Sequence, residues 1–228
     1  MKTKARVMSA DYRGDLEELA RVRDDLAGDQ TYLGRYWSGF ASWRMAINGA
    51  NQGMKPDEMM KHLRTAATDF YASLRAKGDF ADAYAAASLV NGWLAAFTPD
   101  DPLATRERVA LSHLLFVRAS ALEPKNPRVL WTQAAYFLYS PKGKGGDVPR
   151  AIEIYEQMRD EAERHGTNAA SPLPDWGKAE ALMSIAFAQM MQSNFAKARE
   201  AAQAALKVQP DWSYVKNGLL PQIEAKQR

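Results

Sequence analysis

Apolar residues recur at helical spacing along almost the whole chain, and prolines divide this pattern into segments. Runs of β-branched residues with the period-two alternation of strands are missing. Pro56, Pro102, Pro149 and Pro174 stand where segments begin, a position in a helix where a missing N–H costs nothing. Pro124 and Pro210 stand just beyond segment ends. The pattern therefore predicts an all-α chain.

Helix start and stop signals set the boundaries of these segments. They predict about ten helices, over residues 11–27, 30–49, 56–76, 80–97, 102–123, 127–139, 148–165, 175–192, 195–208 and 212–226.

Pairs of these helices repeat a common pattern. The stretches "FVRASALEPKNPRVLW" (116–131) and "AAQAALKVQPDWSYV" (201–215) both run from small and apolar residues to a proline that closes one helix and opens the next. The last pair shows a whole unit, with apolar or small residues on its first helix, at its turn and on its second helix: Leu182, Ile185, Ala186, Phe195, Ala198, Ala202, Ala205 and then Pro210.

This spacing resembles the tetratricopeptide repeat (TPR), whose two antiparallel helices carry small residues where they cross. Gln189 stands where the family has an aromatic residue on its first helix. The resemblance implies a right-handed α-α superhelix of about four helix pairs, forming one domain over residues 1–228. The implied pairs are 30–76, 80–123, 127–165 and 175–208, with capping helices at 11–27 and 212–226.

The string "NPRVLW…YSPKGKGGDVPRAIEIYEQM…SPLPDWGKAEALM" also resembles a group of bacterial TPR-like proteins of uncharacterised role, many of them exported. In that group a glycine-rich insert separates the helices of one repeat, and a P-x-W-G element introduces the next. Pro174, Trp176 and Gly177 match that element. The resemblance implies a fold and no particular activity.

Charge and hydropathy exclude two classes of partner. The 30 Lys and Arg residues are interspersed with 27 Asp and Glu residues, so we expect solvated helix faces and no nucleic-acid partner. No apolar run approaches the roughly 20 residues of a membrane span, so we expect no membrane insertion. The basic start lacks the apolar segment of an export signal. We expect a cytoplasmic protein, or a periplasmic or exported one if a signal peptide has been removed.

Motifs for catalysis or cofactor binding are missing. The insert "SPKGKGGDVPRA" lacks the Ser or Thr and the preceding strand of a P-loop, and Asp147 is better explained as a helix N-cap. His62, His113 and His165 fall on different predicted helices without a second ligand one turn away. With no cysteine there is no thiolate nucleophile. We therefore predict a non-catalytic protein without a metal or cofactor.

In the TPR family one face of the first helices lines a concave groove, and the resemblance places that face on residues chosen relative to Ala41, Ala134 and Ala186. A mixed basic and apolar groove suits an amphipathic peptide or protein segment with acidic residues. Trp131 is the predicted anchor, although a shift of one residue in register would place it in the core. The predicted groove residues are Arg35, Ser38, Met45, Arg128, Trp131, Leu138, Met183, Phe187 and Met190.

Two other classes of function stay open. A curved scaffold rich in Trp and Met could enclose a small apolar ligand, as a binding protein of the bacterial cell envelope would. An enzyme whose chemistry follows no known motif would show titratable groups converging in a cleft. The leading interpretation is a scaffold that recognises a protein or peptide, and it depends largely on the fold.

Overall fold

The computed structural model describes residues 2–98 and 100–227. These residues form helices joined by turns and loops, without a strand. The all-α prediction is confirmed. The α-helices are α1 (Lys2–Arg13), α2 (Leu16–Asp25), α3 (Tyr32–Asn51), α4 (Pro56–Ala76), α5 (Ala81–Ala96), α6 (Pro102–Leu122), α7 (Pro127–Tyr139), α8 (Val148–His165), α9 (Lys178–Met191), α10 (Phe195–Val208) and α11 (Leu220–Gln227). A 3₁₀ turn covers Lys142–Lys144, and a π-helical segment, Val215–Leu219, leads into α11.

The N-terminal helices differ from the prediction. The predicted helix over 11–27 is interrupted at Gly14, whose φ of 68° is left-handed and ends α1. Asp15 then caps α2 by accepting a hydrogen bond from the Glu18 amide at 2.9 Å. Helix α1 was not predicted, because its buried face includes the polar residues Lys4 and Asp11 and so lacks a continuous apolar stripe.

The chain divides into two compact units, each with its own core. Unit 1 comprises Met1–Pro124 together with Ala169–Pro174, and unit 2 comprises Lys125–Asn168 together with Asp175–Arg228. In unit 1, α3 packs on α4 and α5 packs on α6. A Cβ on Gly39 would lie 3.1 Å from the carbonyl oxygen of Ala66 and from the Phe70 ring, so glycine allows α3 to approach α4 closely.

A buried ion pair joins α1 to α3 in unit 1. The Arg44 Nε donates a hydrogen bond to the Asp11 carboxylate over 2.6 Å, and the Asn48 side-chain amide donates to the same oxygen over 2.8 Å. Asp11 is 3% exposed. These two hydrogen-bond donors compensate the charge of the buried carboxylate, which lowers the free-energy cost of burying it.

Unit 2 repeats the same pairing, with α7 packed on α8 and α9 packed on α10. Ala186, Ala198 and Ala205 are completely buried, consistent with the small positions that we predicted at helix crossings. Asp147 caps α8 by accepting a hydrogen bond from the Arg150 amide at 3.0 Å, which confirms its predicted role. Helix α8 buries the stripe of Ala151, Tyr155, Met158 and Ala162.

Gly177, in the P-x-W-G element just before α9, lies close to α7 and α8. A Cβ at this position would lie 2.9 Å from the Pro127 Cβ and 3.1 Å from the Ala162 Cβ, and the glycine φ is 157°. Only glycine fits both the conformation and the space. The chain therefore turns here, and α9 begins at Lys178, three residues later than predicted.

The π-helical segment in the last helix has a local cause in Pro221. Proline has no N–H to donate to the carbonyl four residues earlier, and its ring would collide with that carbonyl. The Leu220 amide bonds instead to the Val215 carbonyl, five residues back. Widening the helix over Val215–Leu219 thus accommodates Pro221 without ending the helix.

Candidate binding face

The three predicted groove residues of unit 1 make contacts within the unit. Arg35 forms an ion pair with the buried Asp69 at 3.1 Å, and the Ser38 hydroxyl donates to the second oxygen of that carboxylate at 2.8 Å. These bonds join α3 to α4. Met45 is 7% exposed. Of the three, Arg35 keeps part of its side chain at the surface.

The six predicted residues of unit 2 divide into two groups. Leu138 and Met190 are buried. Arg128, Trp131, Met183 and Phe187 are partly exposed. Arg128 donates to the Trp176 carbonyl at 3.1 Å, so its guanidinium also holds the P-x-W-G element in place.

Trp131 is held rigidly while part of its ring stays at the surface. Its indole N–H donates to the Ser184 hydroxyl on α9 at 3.0 Å. Its ring meets the buried Trp176 edge to face, with centroids 5.1 Å apart. A side chain fixed in this way loses little further freedom when it binds a ligand, which favours its use as an anchor.

Tyr139, at the end of α7, is the most exposed aromatic residue of this region. It is 61% exposed, and its ring lies 6.3 Å from that of Phe187 on α9. Burial raises the pKa of Tyr139, and Tyr214, which precedes the π-helical segment, adds to that rise. We call Trp131, Tyr139, Phe187 and Tyr214, together with Met183, the aromatic face of unit 2.

The tyrosine hydroxyls at this face remain protonated well above neutral pH. Surrounding protein raises the pKa of Tyr139 to about 12, and burial also raises the pKa of Tyr214. Burial also raises the pKa of Tyr155 well above its ordinary value, and Tyr139 adds to this rise, whereas a hydrogen bond with Ser184 lowers the pKa. The face therefore offers neutral hydroxyl donors beside aromatic rings.

The groove predicted from the sequence includes Trp131, Met183 and Phe187 but does not include Tyr139 and Tyr214. The sequence places Tyr139 at the end of a predicted helix, 127–139, and Tyr214 in the predicted capping helix, 212–226. The TPR groove positions were counted from the close-contact alanines of first helices, so residues at helix ends were not considered. The sequence signal for these two residues is a tyrosine close to a helix end, within "YFLYSP" and within "DWSYVKNG".

Among the described residues, no group of three His, Asp or Glu side chains could hold a metal ion. None of the helices in the described part of the chain is long and apolar enough to cross a membrane.

Comparison with solved structures shows which known folds the chain resembles. No protein-family model matches the chain, and no curated protein matches it. The solved structure of the haemophore HusA from Porphyromonas gingivalis is similar, with a TM-score of 0.65 and 19% identity over 83% of this chain and 92% of that protein. A thermophilic TPR protein of Thermus thermophilus has a TM-score of 0.54 and 13% identity over 93% of this chain and 88% of that protein. The chain is thus an all-α helical repeat with a TPR-like fold.

Proposed function

We propose that the protein is a non-catalytic binding protein that captures a peptide or protein segment on the aromatic face of unit 2. The observation that carries the proposal is the exposed Tyr139 next to the partly exposed Phe187, on the same two helices, α7 and α9, that hold Trp131 in place. Exposed aromatic residues of this kind are enriched at the centres of protein interfaces.

The chemistry of the face indicates what the segment would present. Aromatic rings and the Met183 thioether favour apolar side chains, which they can accommodate by adjusting their packing. The neutral tyrosine hydroxyls can donate to carbonyl groups of an extended or helical segment. Of the basic residues that we predicted for the groove, Arg128 lies nearest in sequence to the anchor, and an acidic group in the segment would suit it.

Selection from a random peptide library on the immobilised full chain would test the proposal. Enriched peptides would then be measured by fluorescence anisotropy against the wild type, Phe187→Ala and Tyr139→Ala. We expect loss of an anchor to weaken binding about 30-fold, the equivalent of roughly 2 kcal/mol. Trp131→Ala should weaken it at least as much, with circular dichroism confirming that the variant is folded.

Tyr136→Ala is the matched control for these variants. Tyr136 also lies on α7 and is 53% exposed, but its hydroxyl reaches the Lys144 carbonyl of the glycine-rich loop. We expect this variant to bind as the wild type does. Equal loss of affinity in Tyr136→Ala and Phe187→Ala would place the binding site elsewhere. The same conclusion would follow if none of the four substitutions changed the affinity of the selected peptides.

A second candidate is a flat aromatic ligand such as haem. It is favoured by the clustered aromatic rings and by the similarity to a haemophore, which extends over 92% of that protein. Titration with haemin would show a saturable absorbance change if this function is the correct one. Tyr139→Phe and Tyr214→Phe would weaken haemin binding if a tyrosine hydroxyl contacts the iron or its ligands, whereas peptide binding through the rings would survive both changes.

A further inference from the structure

Helix α6 carries apolar side chains on two sides, only one of which is covered within unit 1. Leu115 and Ala119 are buried, and Ser112 is hydrogen-bonded to Ser88 of α5. On the other side Leu103 is 68% exposed and Leu114 is 65% exposed. A helix that is apolar on both sides is normally covered on both.

The exposed apolar residues of α6 share one face. Leu103, Ala110, Leu114, Val117 and Ala121 follow each other at steps of seven, four, three and four residues, which keeps them within a narrow stripe. We call these five residues the α6 stripe. At about 1.5 Å per residue the stripe is roughly 27 Å long. We propose that the α6 stripe is an interface between two copies of this chain, which pack α6 against α6 in antiparallel orientation.

Charge complementarity identifies the second copy as the occupant. Glu107 and Arg118 are both exposed, and they flank the stripe on the same edge, eleven residues or about three turns apart. A two-fold axis brings this edge of one helix against the same edge of the other. In the antiparallel arrangement Glu107 of each copy therefore meets Arg118 of the other copy, so the symmetric pair makes this contact twice.

The remaining contacts of the arrangement are free of like-charge conflict. On the opposite edge, Arg106 meets the region of Ser120 and Val117 of the second copy, where no charge stands. At the centre the small Ala110 leaves room for Leu114 of the second copy, which is the alternation of large and small residues that close helix packing needs. The pattern is thus self-complementary over the whole length of the stripe.

This proposal concerns unit 1 and is independent of the binding function proposed for unit 2. It is tested on the full chain by analytical ultracentrifugation over a range of protein concentrations. We expect the mass to rise with concentration from 25.4 kDa toward twice that value. A chain that stays monomeric up to about 100 μM, where micromolar interfaces are occupied, would overturn the proposal.

Two sets of variants locate the interface. Leu114→Asp should raise the dissociation constant by about 30-fold or more, because it buries a charge at the centre of the stripe. Leu173→Asp is the matched control, since Leu173 is also an exposed leucine at 44% but lies in the 169–174 segment. If both variants raise the dissociation constant equally, or if neither raises it, α6 is not the interface.

Charge reversal tests the antiparallel register. Glu107→Arg alone and Arg118→Glu alone each place like charges at two symmetry-related contacts, and each should weaken association by about tenfold. The double variant Glu107→Arg/Arg118→Glu restores both pairs and should dimerise as the wild type does. Failure of the double variant to recover, while both single variants stay folded by circular dichroism, would refute the antiparallel pairing.

Discussion

Asp11 is a single side chain on which the docking of α1 depends. Its carboxylate accepts hydrogen bonds from both Arg44 and Asn48 in the interior of unit 1. Asp11→Ala would leave the Arg44 guanidinium buried without its counter-charge. We expect this change to lower the free energy of unfolding by about 3–5 kcal/mol, as removal of one partner of a buried pair does. Urea denaturation followed by circular dichroism measures the effect.

Asp25→Ala provides the comparison for Asp11. Asp25 also pairs with an arginine, Arg6, at 2.8 Å, but its side chain is 61% exposed. Because solvent screens an exposed pair, we expect almost no change in the denaturation midpoint. If the two alanine variants lose equal stability, the buried pair has no special role.

Tyr155 should make unit 2 sensitive to alkali. Burial raises its pKa well above the ordinary value of 10.0, so it stays protonated in the folded state at a pH where an unfolded tyrosine ionises. The unfolded state therefore loses its proton first, and the stability present below about pH 10 falls as the pH rises through 10 toward the folded pKa. Tyr139, whose pKa is raised to about 12, acts in the same direction but more weakly, because its side chain is 61% exposed to solvent.

Thermal melting across this pH range tests the role of Tyr155. We expect the melting temperature of the wild type to fall steeply above about pH 10, and Tyr155→Phe to flatten that fall because the variant has no hydroxyl to ionise. The same slope in both proteins would show that alkaline sensitivity arises elsewhere.

Helices α9 and α10 pack together, and both bury several alanines. Ala186 of α9 and Ala198 of α10 are both 0% exposed, and we expect them to lie where the two helices cross. Ala198→Leu would force a larger side chain into filled space, and we expect a loss of about 1–3 kcal/mol of stability, measured by thermal or urea denaturation. Ala196→Leu, on the exposed side of the same helix, should melt at the wild-type temperature. An unchanged melting temperature for Ala198→Leu would contradict the helix register.

The helices were largely predictable because proline, capping residues and apolar spacing act locally. Eight of the predicted spans, from 30–49 to 195–208, fall on helices of the structure with small shifts at their ends. Helix α1 was missed because its buried Asp11 takes the place of an apolar residue, and a polar interior contact depends on a partner 33 residues away. The π-helical segment also escaped prediction, since Pro221 alone does not show whether a helix ends or widens.

The candidate site was predictable only in part, for a geometric reason. On a helix, a shift of one residue rotates a side chain by about 100°. Ser38 therefore faces Asp69 in the interior, whereas Phe187 reaches the surface beside Tyr139. Which side of a helix is covered depends on the helices that pack against it, and this information is not local.

Each of the two units has a core of its own, so local damage should remain local. In helical repeats stability is approximately a sum of terms within and between neighbouring helix pairs. We expect Asp11→Ala to increase amide hydrogen exchange mainly in α1 to α4, and Ala198→Leu mainly in α8 to α10. Hydrogen exchange read by mass spectrometry distinguishes the two patterns. A uniform increase over the whole chain in either variant would show a single cooperative unit.

Unit 1 is formed by two segments that are separate in the polypeptide chain. The Ala169–Pro174 segment belongs to it, and the Trp37 indole N–H donates to the Pro172 carbonyl at 2.9 Å. A fragment cut after Pro124 would carry the first six helices but would lose this carbonyl, leaving an indole N–H without the acceptor it has in the whole chain. The protein therefore cannot be dissected into two autonomous modules by a single cut, and a recombinant unit 1 would need the six-residue segment grafted back onto it.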